Sequence, residues 1–102
     1  MSEAQIESVA PAEITVYWRP GCPFCMMLKR SLDRAGVATT DINIWDDPAA
    51  AAVVRGAARG NETVPTVEID GRFFVNPSAG QVMAAAGIEP ADRPARRWGF
   101  RR

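Results

Sequence analysis

The two cysteines of this chain, Cys22 and Cys25, stand in the stretch WRPGCPFCMMLKR, separated only by Pro23 and Phe24. None of the other residues among the 102 is a cysteine, and none is a histidine. A pair so spaced has three chemistries open to it: a metal clip, a structural disulfide or a redox centre. Structural zinc takes four Cys or His ligands, so two thiols without a histidine leave a site open unless carboxylates or a second chain close it. An iron–sulfur cluster shared between two chains needs an exogenous thiol as well. A secreted disulfide scaffold spreads its cysteines along the chain, which is not the pattern here. The redox reading has a mechanism. With Pro23 at the first helical position, Cys22 occupies or adjoins the N-cap, where orphan N–H groups and the positive end of the helix dipole favour a thiolate. Arg19 adds positive charge if its side chain turns toward the sulfur. Cys25, one turn further in, is expected to be more buried and closer to an ordinary thiol. Cys22 then attacks and Cys25 resolves.

The elements that must position this pair follow from periodicity. EITVYW is β-branched and aromatic and predicts a strand running directly into RPGCP. From Phe24 to Ala35 the apolar residues Phe24, Leu28, Leu32 and Ala35 recur at helical spacing, with Lys29, Arg30, Asp33 and Arg34 opposite and Gly36 at the end. TTDINI alternates as a second strand. Asp47 then caps a helix with Pro48 at its first position, which stops near Gly60 and Asn61. TVEID and GRFFV flank Asp70-Gly71, a strong hairpin signal. PSAGQVMAAAG closes the order with a helix capped by Ser78 and ended by Gly87. The order βαβαββα, with a parallel crossover and an antiparallel hairpin, predicts an α/β fold: a four-stranded mixed sheet with three helices on its two faces. Cys22 falls at the C-terminal end of the first strand, where such sheets carry their sites. Met26 and Met27 are expected to divide between helix surface and core, and Trp18 and Trp45 either border the site or cover the sheet.

A second element sits in NETVPT. Pro65 opens the third strand, where a proline costs no ladder donor. A trans bond is the ordinary expectation. A cis bond between Val64 and Pro65 instead turns the Val64 backbone toward the cysteines, ready to pair with an incoming thiol compound as a short added strand.

Composition bounds the rest. At 47% hydrophobic and 24% charged residues, the chain reads as one globular domain, expected over residues 13–88. Residues 1–12 form a polar arm and 89–102 an Arg-rich tail. The net charge is zero, but the last ten residues hold five arginines and no acid, so seven basic residues face twelve acidic ones in the remainder. Trp98 and Phe100 in that tail raise a nucleic-acid or membrane-surface reading. A solvated tail is the simpler expectation, so no nucleic-acid or membrane partner is expected. No apolar run approaches a membrane span, and the acidic start lacks a signal-peptide core, which points to the cytoplasm.

The segments VYWRPGCPFCMMLKRSLDRAGV, DINI and TVPTVEIDGRFF, taken together, resemble the glutaredoxins over roughly residues 13–87. The resemblance implies a thioredoxin-like fold and a thiol–disulfide oxidoreductase, with Cys22 as nucleophile, Cys25 as resolving cysteine and Pro65 as a cis-proline. It places Arg19, Pro23 and Phe24 around the thiolate. Thr63 and Val64 would line the site of the thiol cofactor. Glutaredoxins commonly carry a Gly-Gly-x-x-Asp segment after the hairpin that holds charged ends of glutathione; here VNPSAGQV stands instead. Asn76 and Pro77 remove donors and backbone freedom there, and Ser78 is left as a polar contact or a plain helix cap. The pattern GNETVPT followed by NPSA is similar to that of the actinobacterial mycoredoxins, which work with mycothiol, a thiol of sugars and an acetylated cysteine. The resemblance therefore implies mycothiol as reductant and proteins bearing mixed or internal disulfides as substrates, with the chain itself a monomer holding no tightly bound cofactor and no metal. Glutathione is the alternative. So is the redoxin that feeds ribonucleotide reductase from thioredoxin reductase, although RWGFRR matches that group only faintly. An iron–sulfur-binding module is the alternative of another class; a serine at position 25 or the loss of Pro23 would favour it, and neither is present.

Overall fold

The computed structural model describes residues 13–88. The arm expected over 1–12 and the tail expected over 89–102, with Trp98 and Phe100, lie outside the described residues. The order is β1 (Ile14–Trp18), α1 (Pro23–Arg34), β2 (Thr40–Asn43), α2 (Pro48–Ala57), β3 (Thr66–Ile69), β4 (Arg72–Val75) and α3 (Ala79–Ala85). This is the predicted βαβαββα. The strands form one sheet in the order β2-β1-β3-β4. β1 runs parallel to β2 and antiparallel to β3, and β3 runs antiparallel to β4. The β3–β4 turn is tight because Asp70 and Gly71 both take positive φ, 51° and 80°, the backbone a two-residue hairpin needs.

Alternation along β1 divides the core between the two faces. Ile14 and Val16 join Val67 and Ile69 of β3 in packing against Leu28 and Leu32 of α1 and Val82 and Met83 of α3. Tyr17, on the other face, packs with Ile44 and with Ala50, Ala51 and Val54 of α2. The sheet is thus covered by α1 and α3 on one side and by the Ala-rich α2 on the other. Asp47 caps α2 by accepting from the N–H groups of Ala49 and Ala50 at 3.1 and 3.2 Å. Among the described residues no helix is long and apolar enough to cross a membrane.

Two packing expectations for α1 are corrected. Phe24 does not join the buried face; it is 61% exposed, and Cys25 takes the core position with Leu28 and Leu32. Residues 25, 28 and 32 share one side of a helix, whereas Phe24 lies about 100° round from Cys25 and faces outward. Met26 and Met27 are both exposed, so neither enters the core.

Candidate active site

The register collects four loops at one end of the sheet. Trp18 lies opposite Asn43 in the parallel pair, so the chain leaving β1 and the chain leaving β2 emerge together. Tyr17 lies opposite Thr66, which brings the start of β3 to the same end, and Thr66 lies opposite Val75, which brings the exit of β4 there too. Hydrogen bonds tie these loops. Ile44 donates its N–H to the Trp18 carbonyl at 2.9 Å, and Asn76 donates its N–H to the Pro65 carbonyl at 2.7 Å.

From Trp18 the chain turns through Pro20 and Gly21, whose φ of +76° suits a residue without a Cβ, and delivers Cys22 to the N-cap of α1. Pro23 takes the first helical position, where a missing N–H is no loss. The Cys22 sulfur accepts the backbone N–H of Cys25 at 3.1 Å, in the manner of a serine or aspartate cap. Its S–H points to the Val64 carbonyl at 3.8 Å. Val64 and Pro65 are joined by a cis peptide bond, which turns the Val64 backbone toward the cysteine. The Thr66 hydroxyl, completely buried, donates to the Thr63 carbonyl at 2.7 Å and closes the 63–66 loop on itself. Sequence reasoning passed over Thr66; the second threonine of T-V-P-T, a small hydroxyl at a buried strand position, was the available signal.

Both thiols are free and both are buried: Cys25, as expected, is 1% exposed, and Cys22 is 3% exposed although its loop is flanked by Pro20, Gly21 and Pro23. The Val64 loop roofs Cys22, which a local reading of RPGCP does not contain. Their surroundings still differ. Burial pushes the Cys25 thiol up to about 12, and its hydrogen bond to the Cys22 sulfur acts in the same direction. Cys25 is thereby held as a neutral thiol across the physiological range.

The remaining candidate residues separate into two flanks. On one, Phe24 and Met27 of α1 face Asn76, Pro77, Ser78 and Gln81 across a groove of about 390 Å³. The backbone donors of the 76–78 segment leading into α3 are already engaged there. Asn76 N–H is held by Pro65, Pro77 has none, and Ser78 N–H goes to the Gln81 side chain at 2.8 Å while the Ser78 hydroxyl accepts Gln81 N–H at 3.1 Å. Ser78 is therefore half of a capping box. On the other flank, the Arg19 guanidinium donates to the Pro20 carbonyl at 3.2 Å and lies 5.9 Å from the centroid of the Trp45 ring. The Arg19 side chain is thus turned to Trp45. Among the described residues no group of three or more His, Cys, Asp and Glu side chains could hold a metal ion.

Residues 14–74 match the family model described as Glutaredoxin. The chain belongs to the glutaredoxin family. As a member it is a thiol–disulfide oxidoreductase, with the C-P-F-C pair at the head of α1. It is similar to MT3292 of Mycobacterium tuberculosis (strain CDC 1551 / Oshkosh), which carries a glutaredoxin name, at 39% identity over 72% of this chain and 88% of that one. Mycoredoxin 1 of Corynebacterium glutamicum is 35% identical over 72% of this chain and 91% of its own. Among solved structures, the thioredoxin-like protein BC3987 superposes with a TM-score of 0.61 at 28% identity, over 71% of this chain and 97% of that one. The thioredoxin-like architecture of this glutaredoxin-family chain agrees with the sheet order and helix placement described above.

Proposed function

We propose that the chain reduces mixed disulfides between proteins and mycothiol, with Cys22 as the attacking sulfur and Cys25 as the resolving one. One observation carries the choice of thiol. In the 76–78 segment that leads into α3 the Asn76 and Ser78 N–H groups are spent inside the fold and position 77 is a proline, so that segment offers a carboxylate no backbone donor ahead of the helix. Glutathione presents two carboxylates; mycothiol, with an acetylated and amide-linked cysteine, presents none. The likeness to mycoredoxin 1 supports the same reading.

The Cys22 thiolate attacks the mycothiol sulfur of the mixed disulfide. That S–S bond breaks, the protein thiolate leaves and takes a proton, and a Cys22–mycothiol disulfide forms. A second mycothiol attacks the adduct, yielding mycothiol disulfide and restoring Cys22; alternatively Cys25 attacks and an internal disulfide forms. The Val64 backbone supplies an edge along which the acetylcysteine moiety lies, with Thr63 and Pro65 fixing that edge. Pro23 sets the first turn beneath Cys22. Phe24, Asn76 and Ser78 border the apolar groove beside it, and Arg19 borders the opposite rim.

The test is the reduction of one peptide thiol capped either with mycothiol or with glutathione, each coupled to its own reductase. Turnover of the mycothiol adduct at least about tenfold above the glutathione adduct in kcat/KM is expected, since one lost charge-assisted anion contact is worth roughly that factor. Preference for glutathione would overturn the choice of thiol and leave the oxidoreductase standing.

A further inference from the structure

Trp45 stands at the active end of the sheet, and it is 63% exposed. An indole left that open on a small domain is unusual, because its area is among the most favourable to bury. Its position is nevertheless fixed. Ile44 beside it is buried under α2 and bonded to Trp18, Trp45 N–H donates to the Asn43 side chain at 2.9 Å, and Asp46 N–H donates to the Asn43 carbonyl at 3.1 Å. The turn after β2 therefore holds the ring out on a short, bonded stem. Arg19 reaches it from the cysteine loop, and Asn43 and Asp46 add a carboxamide and a carboxylate at the same rim.

The two flanks of Cys22 thus offer different chemistries. The Phe24–Met27–Pro77 flank is an apolar groove whose Asn76 and Ser78 N–H groups are spent. The Arg19–Trp45 flank joins an exposed indole, with the Arg19 guanidinium over its ring, to an Asn43 carboxamide that donates to the Asp46 carboxylate. A flat ring beside a few polar groups suits a neutral polyol, whose C–H face packs on the ring while its hydroxyls bond at the edge. Resting on the mycothiol reading above, we infer that Trp45, with Arg19, is the platform for the sugar portion of the thiol cofactor. Trp45 is then a specificity-determining residue, with no part in bond making at sulfur.

The experiment adds a third cap to the peptide thiol: N-acetylcysteine, the reacting end of mycothiol without its sugars. Wild type, Trp45→Ala and Trp45→Phe are compared. The expected result is that Trp45→Ala lowers the ratio of kcat/KM for the mycothiol cap over the N-acetylcysteine cap by about five- to tenfold, through KM, as befits one aromatic contact. Trp45→Phe should recover most of the ratio. A second readout is the Trp45 indole N–H resonance in Cys22→Ser protein, identified by its loss in Trp45→Phe. It should shift with free mycothiol and stay in place with N-acetylcysteine. A ratio equal in wild type and Trp45→Ala, in a wild type that does prefer the mycothiol cap, would overturn the platform alone. A wild type that fails to use the mycothiol cap would overturn both readings.

Discussion

Cys22 and Cys25 are three residues apart, similarly buried and bonded to each other through one N–H, yet they belong to two regions of different character. Cys22 stands where the sheet ends. Its sulfur caps a helix and meets a carbonyl contributed from 42 residues further along the chain. Cys25 stands on the core side of α1 in line with Leu28 and Leu32, where desolvation keeps its proton on. The difference shows that burial alone does not set thiol chemistry. One enclosed sulfur accepts a backbone N–H at a helix cap beside a carbonyl edge, the setting that suits the attacking role proposed for it, while an apolar setting suits its neighbour to the proposed resolving role.

The largest effect that could break this comparison is on activity. Cys22→Ser is expected to lower disulfide reduction by at least about a thousandfold, because serine at that site supplies no comparable nucleophile. Cys25→Ser should leave a mycothiol-driven route within about tenfold of wild type, since an external thiol resolves the adduct. Rates of adduct reduction by each variant check the pair. Comparable losses in both would erase the distinction drawn between the two sulfurs.

Stability at high pH sharpens the comparison on the buried side. The Cys25 thiol rises from an ordinary 9.0 to about 12 in the fold, and the Tyr17 phenol, buried and donating to Glu68 at 2.9 Å, rises from 10.0 to about 12. Both groups are neutral when protonated and ionise more readily unfolded. The stability they contribute is full below pH ~9 and falls as pH climbs toward 12, because the unfolded chain then releases protons that the native one retains. Thermal melting from pH 8 to 11 should therefore show Tm declining by several degrees above pH ~9. The decline should flatten in Cys25→Ala and flatten further when Tyr17→Phe is added. A slope unchanged in both variants would place the alkaline loss elsewhere.

Much of this arrangement was legible locally. Pro23 after Cys22, Asp47 before Pro48 and Asp70-Gly71 between β-rich runs each act through backbone geometry that neighbouring residues dictate, so the helix starts and the hairpin stand where the sequence placed them. Less legible were features set by distant partners. The direction of Arg19 comes from Trp45 and the occupation of the 76–78 donors from Pro65 and Gln81, whereas the turn of Val64 toward Cys22 was open to a reading of T-V-P as a cis proline. Phe24 was misplaced for a related reason. Counting apolar residues at helical spacing treats a cysteine as neutral, while in this helix a cysteine holds the core position and the aromatic ring faces out.

The smallest effect tests the roof itself. Thr66 is buried, and its hydroxyl spans back to the Thr63 carbonyl, so the turn that carries Val64 is closed by a side chain as well as by the Asn76–Pro65 backbone bond. Thr66→Val keeps the shape and removes the donor, leaving a carbonyl to find another partner at a cost of about 1 kcal/mol, or roughly 4–8 °C in Tm for a domain of this size. The loop meets the Cys22 sulfur through the Val64 carbonyl, so the consequence should be uneven. Alkylation at pH 8 should quicken at Cys22 by a few-fold as its roof loosens, since access and thiolate character together set the rate. Cys25, packed against the core of α1, should react no faster than before. Equal acceleration at both sulfurs, read by mass spectrometry of the labelled peptides, would mean that the loop and the helix open together.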